Sequence, residues 1–233
     1  MGTGDWGLGK IGGKSPLSLQ LYELPLPPSA GTPRNAPSCD SLVPCPHDWA
    51  LTAFDEGAVF TAFDIETTGL DNRRDRIVEL GAVKFNKQGE IDRYCSLIDP
   101  GFPMPEEAGK VNNITDAMLA GQPSIQEALP AFLRFAADTI VLAHNAPFDC
   151  GFVNNSLSCL CDDGYVPFSA LPNRVVDTLP LARRILPGRK HYNLQDITAS
   201  LGIIAEAAHR ALDDARLCMV LFIYLANYVK ENR

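Results

Sequence analysis

Asp64-Ile-Glu66 sets two carboxylates two residues apart at the end of the apolar run 59–65, and it is the one D-x-E in the chain. On a strand, side chains at i and i+2 share a face. Two acids on one face of a buried strand repel each other and lose hydration, so strands do not carry them for stability. Hard divalent cations such as Mg2+ or Mn2+ remove that cost, because they prefer carboxylate oxygens. Taken alone, the pair reads either as a metal site or as a strand end running out into water. Thr67-Thr68-Gly69-Leu70 follows as a tight turn with exposed backbone donors.

Two further clusters share a spacing, a His five residues before an Asp. His144-Asn-Ala-Pro-Phe-Asp149 stands where a strand should end and a helix begin, the usual place for a site in an α/β sheet. Asp149 falls in the first helical turn, where a dipole-stabilising acid is the plainer reading of that residue alone. His209-Arg-Ala-Leu-Asp-Asp214 opens an apolar helix face with Leu212, Ala215, Met219 and Phe222. Asp214 is therefore expected to point inward and Asp213 to solvent. An inward acid needs a partner, and a metal shared with Asp64 and Glu66 would supply one. The spacing recurs at His191 and Asp196, but Asp196 lies three residues after the cap Asn193 and reads as a first-turn acid. Residues 7–15 imitate a phosphate-binding P-loop and fail it. The glycine required five residues before Gly13 is Leu8, and no strand precedes.

Residues 59–65, 76–85 and 91–98 read as strands joined by short turns, an antiparallel meander. The period then becomes helical. Ser124 with Glu127 forms a capping box ahead of the apolar stripe Ile125, Leu129, Phe132, Leu133 and Ala136. Residues 139–144 predict a short strand, 148–160 a helix, and Val175-Val176 a brief strand. Asp177 caps the next helix, Asn193 caps another that stops at Gly202, and a last helix spans 210–228. Strands first, then strands alternating with helices, predict a mixed α/β sheet with helices on its faces.

Composition sets the outer bounds. The chain has 233 residues, 46% hydrophobic and 21% charged, values ordinary for a globular protein. Twenty Lys+Arg against 28 Asp+Glu give a net charge of −8, which argues against a basic nucleic-acid coat. It leaves room for an enzyme that reaches nucleic acid through bound metal ions. No apolar run approaches the roughly 18 residues of a membrane span. The seven cysteines, with no C-x-x-C pair, read as reduced thiols of a cytoplasmic protein. The first 56 residues hold eight of the 18 prolines and seven of the 18 glycines and show no sustained period. Residues 1–57 are accordingly expected to be a disordered or loosely attached extension, and 58–233 the folded domain.

In their order and context, D-x-E-T-T-G on a first strand, H-N-x-x-F-D at a strand-to-helix turn and H-x-x-x-x-D opening the last helix resemble the three motifs of DnaQ-like DEDDh 3′-5′ exonucleases. Within that family the chain looks most like the epsilon (proofreading) subunits of bacterial DNA polymerase III. The resemblance covers residues 59–228, and Arg210, where another branch carries Tyr, places the chain with the His-type branch. It implies an RNase H-like fold, a mixed five-stranded sheet flanked by helices. It implies that Asp64, Glu66, Asp149 and Asp214 hold two Mg2+ or Mn2+ ions, and that His209 takes a proton from the attacking water. Nucleoside monophosphates would leave single-stranded or frayed DNA 3′ ends. The backbone at Thr67 and Thr68, with Leu70, Asn145 and Phe148, would hold the terminal nucleotide, and the catalytic subunit of DNA polymerase III would be the partner. Where many relatives carry His-Gly before Ile-Thr, this chain has Asn112-Asn113. Arg183, Arg184, Arg189 and Lys190 form the densest basic segment, either a phosphate-positioning surface or a solvated helix end. Two rival readings are a free-standing exonuclease of the same chemistry acting on RNA, and a catalytically silent polymerase-binding subunit. The intact set of four acids and a His argues against the second.

Overall fold

Two apolar runs rich in β-branched and aromatic residues form β1 (Phe60–Thr67) and β2 (Ile77–Asn86), and the more polar β3 (Gly89–Leu97) completes the expected antiparallel meander. β4 (Ile140–Ala143) and β5 (Val175–Asp177) join in parallel, giving a mixed five-stranded sheet in the order β3-β2-β1-β4-β5. The helices are α1 (Asp48–Asp55), α2 (Glu106–Asn112), α3 (Asp116–Leu119), α4 (Ile125–Phe135), α5 (Ala146–Asp162), α6 (Thr178–Ile185), α7 (Leu194–Ser200) and α8 (Ala211–Glu231). This computed structural model describes residues 45–203 and 210–232. The expectations for residues 1–44, including the 7–15 segment, and for His209 lie outside the described residues.

Local chemistry sets the helix starts. Glu127 accepts from the Ser124 N–H at 2.9 Å, the capping box read from the sequence. Asp177 accepts from Leu179 N–H at 2.9 Å, and Asn193 from Asp196 N–H at 2.8 Å. α5 begins two residues earlier than the apolar period indicates, because Asn145 turns the chain with left-handed backbone (φ 65°, ψ 47°) directly after β4. Helices α2 and α3 have too few apolar positions for a helical period, so the sequence predicts no helix there. They cover Val78 with Ile114 and Leu119.

The side-chain period of two divides β1 between two cores. Phe60 and Ala62 face α6, α7 and α8, together with Val83 and Phe85 of β2. Phe63 and Ile65 face α4 and α5, together with Leu80 and Ala82. Asp64 and Glu66 continue the Phe60–Ala62 face beyond the end of the first core.

The expected domain boundary needs correction at its C-terminal edge. Residues 48–55, assigned to a loosely attached extension, form α1, and Ala50, Leu51 and Phe54 of that helix are buried in the first core. The Phe54 ring sits 5.5 Å from Phe222 and 5.9 Å from Phe60, both edge-on. Arg184 Nη2 pairs with Asp48 at 2.7 Å, and the Arg174 guanidinium lies 3.4 Å over the Trp49 ring. The prolines and glycines that dominate the preceding stretch masked a single eight-residue helix. Phe54→Ala should therefore lower stability by about 3–5 kcal/mol, the usual loss for a buried aromatic. Urea denaturation measures it, and an unchanged midpoint would mean that α1 is only loosely held.

Candidate active site and metal centre

Asp64 and Glu66 leave the sheet on the same face, where β1 ends and register slips between Glu66 and Thr67. Opposite them on β2 stand Gly81 and Glu79, so the same face carries a third acid directly across from Glu66. A Cβ at position 81 would overlap the backbone of Ala211 and Leu212. Gly81 therefore lets the start of α8 lie against the strand, and that contact brings Asp214 down onto the two β1 acids. Carboxylate oxygens of Asp64, Glu66 and Asp214 lie within 4.8 Å of one another. Asp214 is 5% exposed, inward as expected, and its Oδ1 accepts from Gln195 Nε2 at 3.0 Å. Asp213 turns instead to Arg216, 3.3 Å away.

Asp149 is not one of this trio, but it is joined to it. From the first turn of α5 its buried carboxylate is bonded by its own backbone N–H and by that of Ile65, which lies between Asp64 and Glu66 on β1. The electrostatics of the four acids agree. Burial pushes the Asp64 carboxyl well above the usual carboxylate range, and the charges of Asp149, Asp214 and Glu66 push it further. Burial, then Asp214 and Glu79, raise Glu66 to about 7. Burial raises Asp149 to about 8 against those two backbone bonds. Clustered, half-buried carboxylates that resist ionisation are a donor set waiting for a cation, and all-oxygen donors fit a hard divalent ion.

A family model described as Exonuclease matches residues 61–222. The chain belongs to this exonuclease family. It is 44% identical over 189 residues to the DNA polymerase III subunit epsilon of Treponema pallidum (strain Nichols), covering 80% of this chain and 85% of that one. It is 36% identical over 164 residues to the Aquifex aeolicus (strain VF5) subunit epsilon, covering 70% and 78%. It is also 40% identical over 173 residues to a PolC-type DNA polymerase III of Clostridium perfringens (strain 13 / Type A), of which the match spans only 11%. Among solved structures, exonuclease X in complex with 5′ overhanging duplex DNA superposes with a TM-score of 0.58 at 26% identity, over 72% of this chain and 91% of that one. E. coli exonuclease I in complex with a dA16 oligonucleotide shares the fold, with a TM-score of 0.61 at 18% identity.

The turn after β1 is rigid in this exonuclease. Thr67 Oγ1 donates to Gly69 O at 2.6 Å, and Thr68 Oγ1 donates to Asp75 Oδ1 at 3.3 Å. Asp75 also accepts from Asp71 N–H at 2.8 Å and fills the space that a side chain at Gly69 would need. Leu70 stands out from this frame at 85% exposure. Asn145 is exposed, and Phe148 is half-buried with its ring 5.1 Å from Phe152. Asn112 is buried. Its Nδ2 donates to Thr67 O at 3.3 Å and its Oδ1 accepts from Ile114 N–H at 3.1 Å, so it braces the turn from behind. Asn113 takes the left-handed conformation (φ 58°), which a Gly would adopt at no cost.

His144 is a structural histidine. Its Nε2 sits 2.7 Å from Tyr192 O, which only accepts, and its Nδ1 sits 2.9 Å from Thr178 Oγ1. Burial lowers its pKa and keeps the ring neutral. The basic segment divides: Arg184 is taken by Asp48 and Arg189 by Ser200, while Arg183 and Lys190 are exposed. The sequence singles out Asn112 but not its contacts, and it does not single out Glu79, Gln195 or Asp75. Glu79 had one available signal, an acid inside an apolar strand, but its cross-strand partner is set by register.

The raised acids make the metal-free protein sensitive to pH in a defined direction. Asp149 and Glu66 titrate near 3.8 and 4.5 when unfolded and near 8 and 7 when folded, so between those limits the folded state binds more protons. Stability from these groups is present below about pH 4 and is lost as pH rises through about 8. With chelator present, the melting temperature should fall between about pH 5 and 8. Mg2+ or Mn2+ should restore it, and by more at the upper end. Asp64→Asn should raise the chelated protein's melting temperature near pH 8 and erase the metal-induced rise. Differential scanning calorimetry reads both, and a metal response unchanged in Asp64→Asn would exclude Asp64 from the centre.

Proposed function

We propose that this chain is a divalent-metal-dependent 3′-5′ exonuclease of the epsilon type, which removes nucleoside monophosphates from DNA 3′ ends beside a replicative polymerase. One observation carries the reading: Asp64 and Glu66 from a strand and Asp214 from a helix bring carboxylate oxygens within 4.8 Å of one another. The 44% identical relative named as a DNA polymerase III subunit epsilon supports it. The catalytic domain begins with α1, whose Ala50, Leu51 and Phe54 belong to its first core. Asp64, Glu66, Asp149 and Asp214 would hold two Mg2+ or Mn2+ ions. When bound, such cations neutralise the phosphodiester and stabilise charge developing on the attacking and leaving oxygens.

The protein's own groups do the rest. His209 accepts the proton of the attacking water, a role that imidazole side chains commonly fill. The water oxygen bonds to the terminal phosphorus as the bond from phosphorus to the preceding 3′ oxygen breaks, and a nucleoside 5′-monophosphate leaves. Backbone groups at Thr67 and Thr68 hold the terminal nucleotide. Leu70 offers an apolar surface to its base, and Asn145 and Phe148 line the opposite side. A mismatched end enters such a site at lower unpairing cost than a paired one. The partner is the catalytic subunit of DNA polymerase III, in the cytoplasm.

An end-labelled degradation assay tests the reading with a primer-template bearing a 3′ mismatch, its matched twin and single-stranded RNA. The mismatched DNA end should be removed fastest. Asp64→Ala and His209→Ala should each lower kcat by about 10²–10³-fold or more, the scale of losing a group that stabilises the transition state. Preference for RNA would keep the chemistry and overturn the proofreading role. No metal-dependent cleavage of any substrate would overturn the nuclease reading in favour of a binding subunit.

A further inference from the structure

Glu79 is a fully buried carboxylate near the start of β2, directly across the ladder from Glu66. It is not one of the three acids whose oxygens converge. Residues directly opposite in an antiparallel pair hold their side chains close together, and like charges there are destabilising. The structure answers with one cation. Arg210 Nε lies 3.2 and 3.0 Å from the two Glu79 oxygens, and Arg210 Nη2 lies 2.6 Å from Oε1. Glu79 Oε2 also accepts from the Ala211 N–H at 3.2 Å, and Cys95 Sγ lies 3.7 Å from Oε1. The guanidinium is thus forked onto Glu79 at the mouth of α8, and the close contact at Gly81 fixes that mouth against β2.

The placement has a consequence for the metal centre. Arg210 stands four residues before Asp214, and its partner Glu79 lies directly across the ladder from Glu66. Its charge already reaches Glu66, whose ionised form it favours against the surrounding acids. The Arg210 side chain is 37% exposed, so it has room to swing. An arginine released onto Glu66 and Asp214 would occupy the donors with a cation of the protein's own.

We propose that Glu79 is a positioning residue that holds the Arg210 guanidinium off Glu66 and Asp214, and so keeps an internal cation from competing with the metal. This rests on the metal-centre reading above. A purely structural Glu79 would matter equally through either partner of the pair. A sequestering Glu79 makes the two partners unequal: losing the acid frees a competitor, whereas losing the arginine removes it.

The test is Mn2+ binding to the whole chain without DNA, by isothermal titration calorimetry, with the Mn2+-induced shift in melting temperature alongside. Glu79→Gln keeps the shape of the side chain and should raise the Kd for Mn2+ by about 10–100-fold, the usual cost of altering a group next to metal ligands. Glu79→Gln/Arg210→Gln should return the Kd to within a few-fold of wild type, and Arg210→Gln alone should leave it at or below wild type. A Glu79→Gln protein that binds Mn2+ like wild type overturns the inference, and so does a double variant no better than Glu79→Gln. Should Glu79→Gln fail to fold, Arg210→Gln decides: a Kd raised about tenfold or more overturns the inference, since that is the cost of a lost supporting group. A wild-type protein with no Mn2+ binding would overturn the metal-centre reading and this inference with it, an outcome distinct from normal wild-type binding with an unaffected variant.

Discussion

Mutual repulsion among buried carboxylates is the constraint on which the rest of the structure depends. Asp64, Glu66, Asp149 and Asp214 meet where β1 ends, and both burial and neighbouring acids oppose the ionisation of Asp64. Left to themselves, such groups would splay apart into water. They stay together because each is attached to something that cannot move: Asp64 and Glu66 to a strand paired on both sides, Asp214 to a helix start seated on Gly81, and Asp149 to a helix start bonded back to β1. The cost of that arrangement is what makes a divalent cation welcome there.

The stability to hold it comes from the other ends of the same elements. β1 begins between two apolar cores and ends among acids, and α8 runs the same course in reverse, from Asp214 to Phe222 and Leu225. The aromatic cluster of Phe54, Phe60, Phe85 and Phe222 ties β1, β2 and α8 together several residues from the carboxylates. α1 belongs to this cluster, so a segment whose surroundings look like a tail is part of what keeps β1 in place.

Around the acids, polar side chains are committed to partners that fix the backbone. His144 is locked neutral between Thr178 and the Tyr192 carbonyl, Asp75 and Asn112 frame the turn that carries Leu70, and Arg210 is forked onto Glu79. Asn112 is a buried donor behind Thr67, and Asn113 after it tolerates the left-handed backbone.

By itself the sequence determined the meander, the alternation that follows it, the caps at Ser124, Asp177 and Asn193, and the inward aim of Asp214, because all of these are short-range consequences of periodicity and capping. It also marked Asp64, Glu66, Asp149 and Asp214 as a group by their order in the chain. It did not show α1, since composition over a long window hid eight residues whose order depends on packing against Phe60 and Phe222. Nor did it show Glu79, Gln195 or Asp75, or what Asn112 braces, because those roles come from contacts made across the chain. Only the tertiary structure decided which three carboxylates converge and which stands one backbone bond away, and it decided where Arg210 goes. Those are matters of strand register and of how closely a helix start approaches a strand, and no local spacing encodes either.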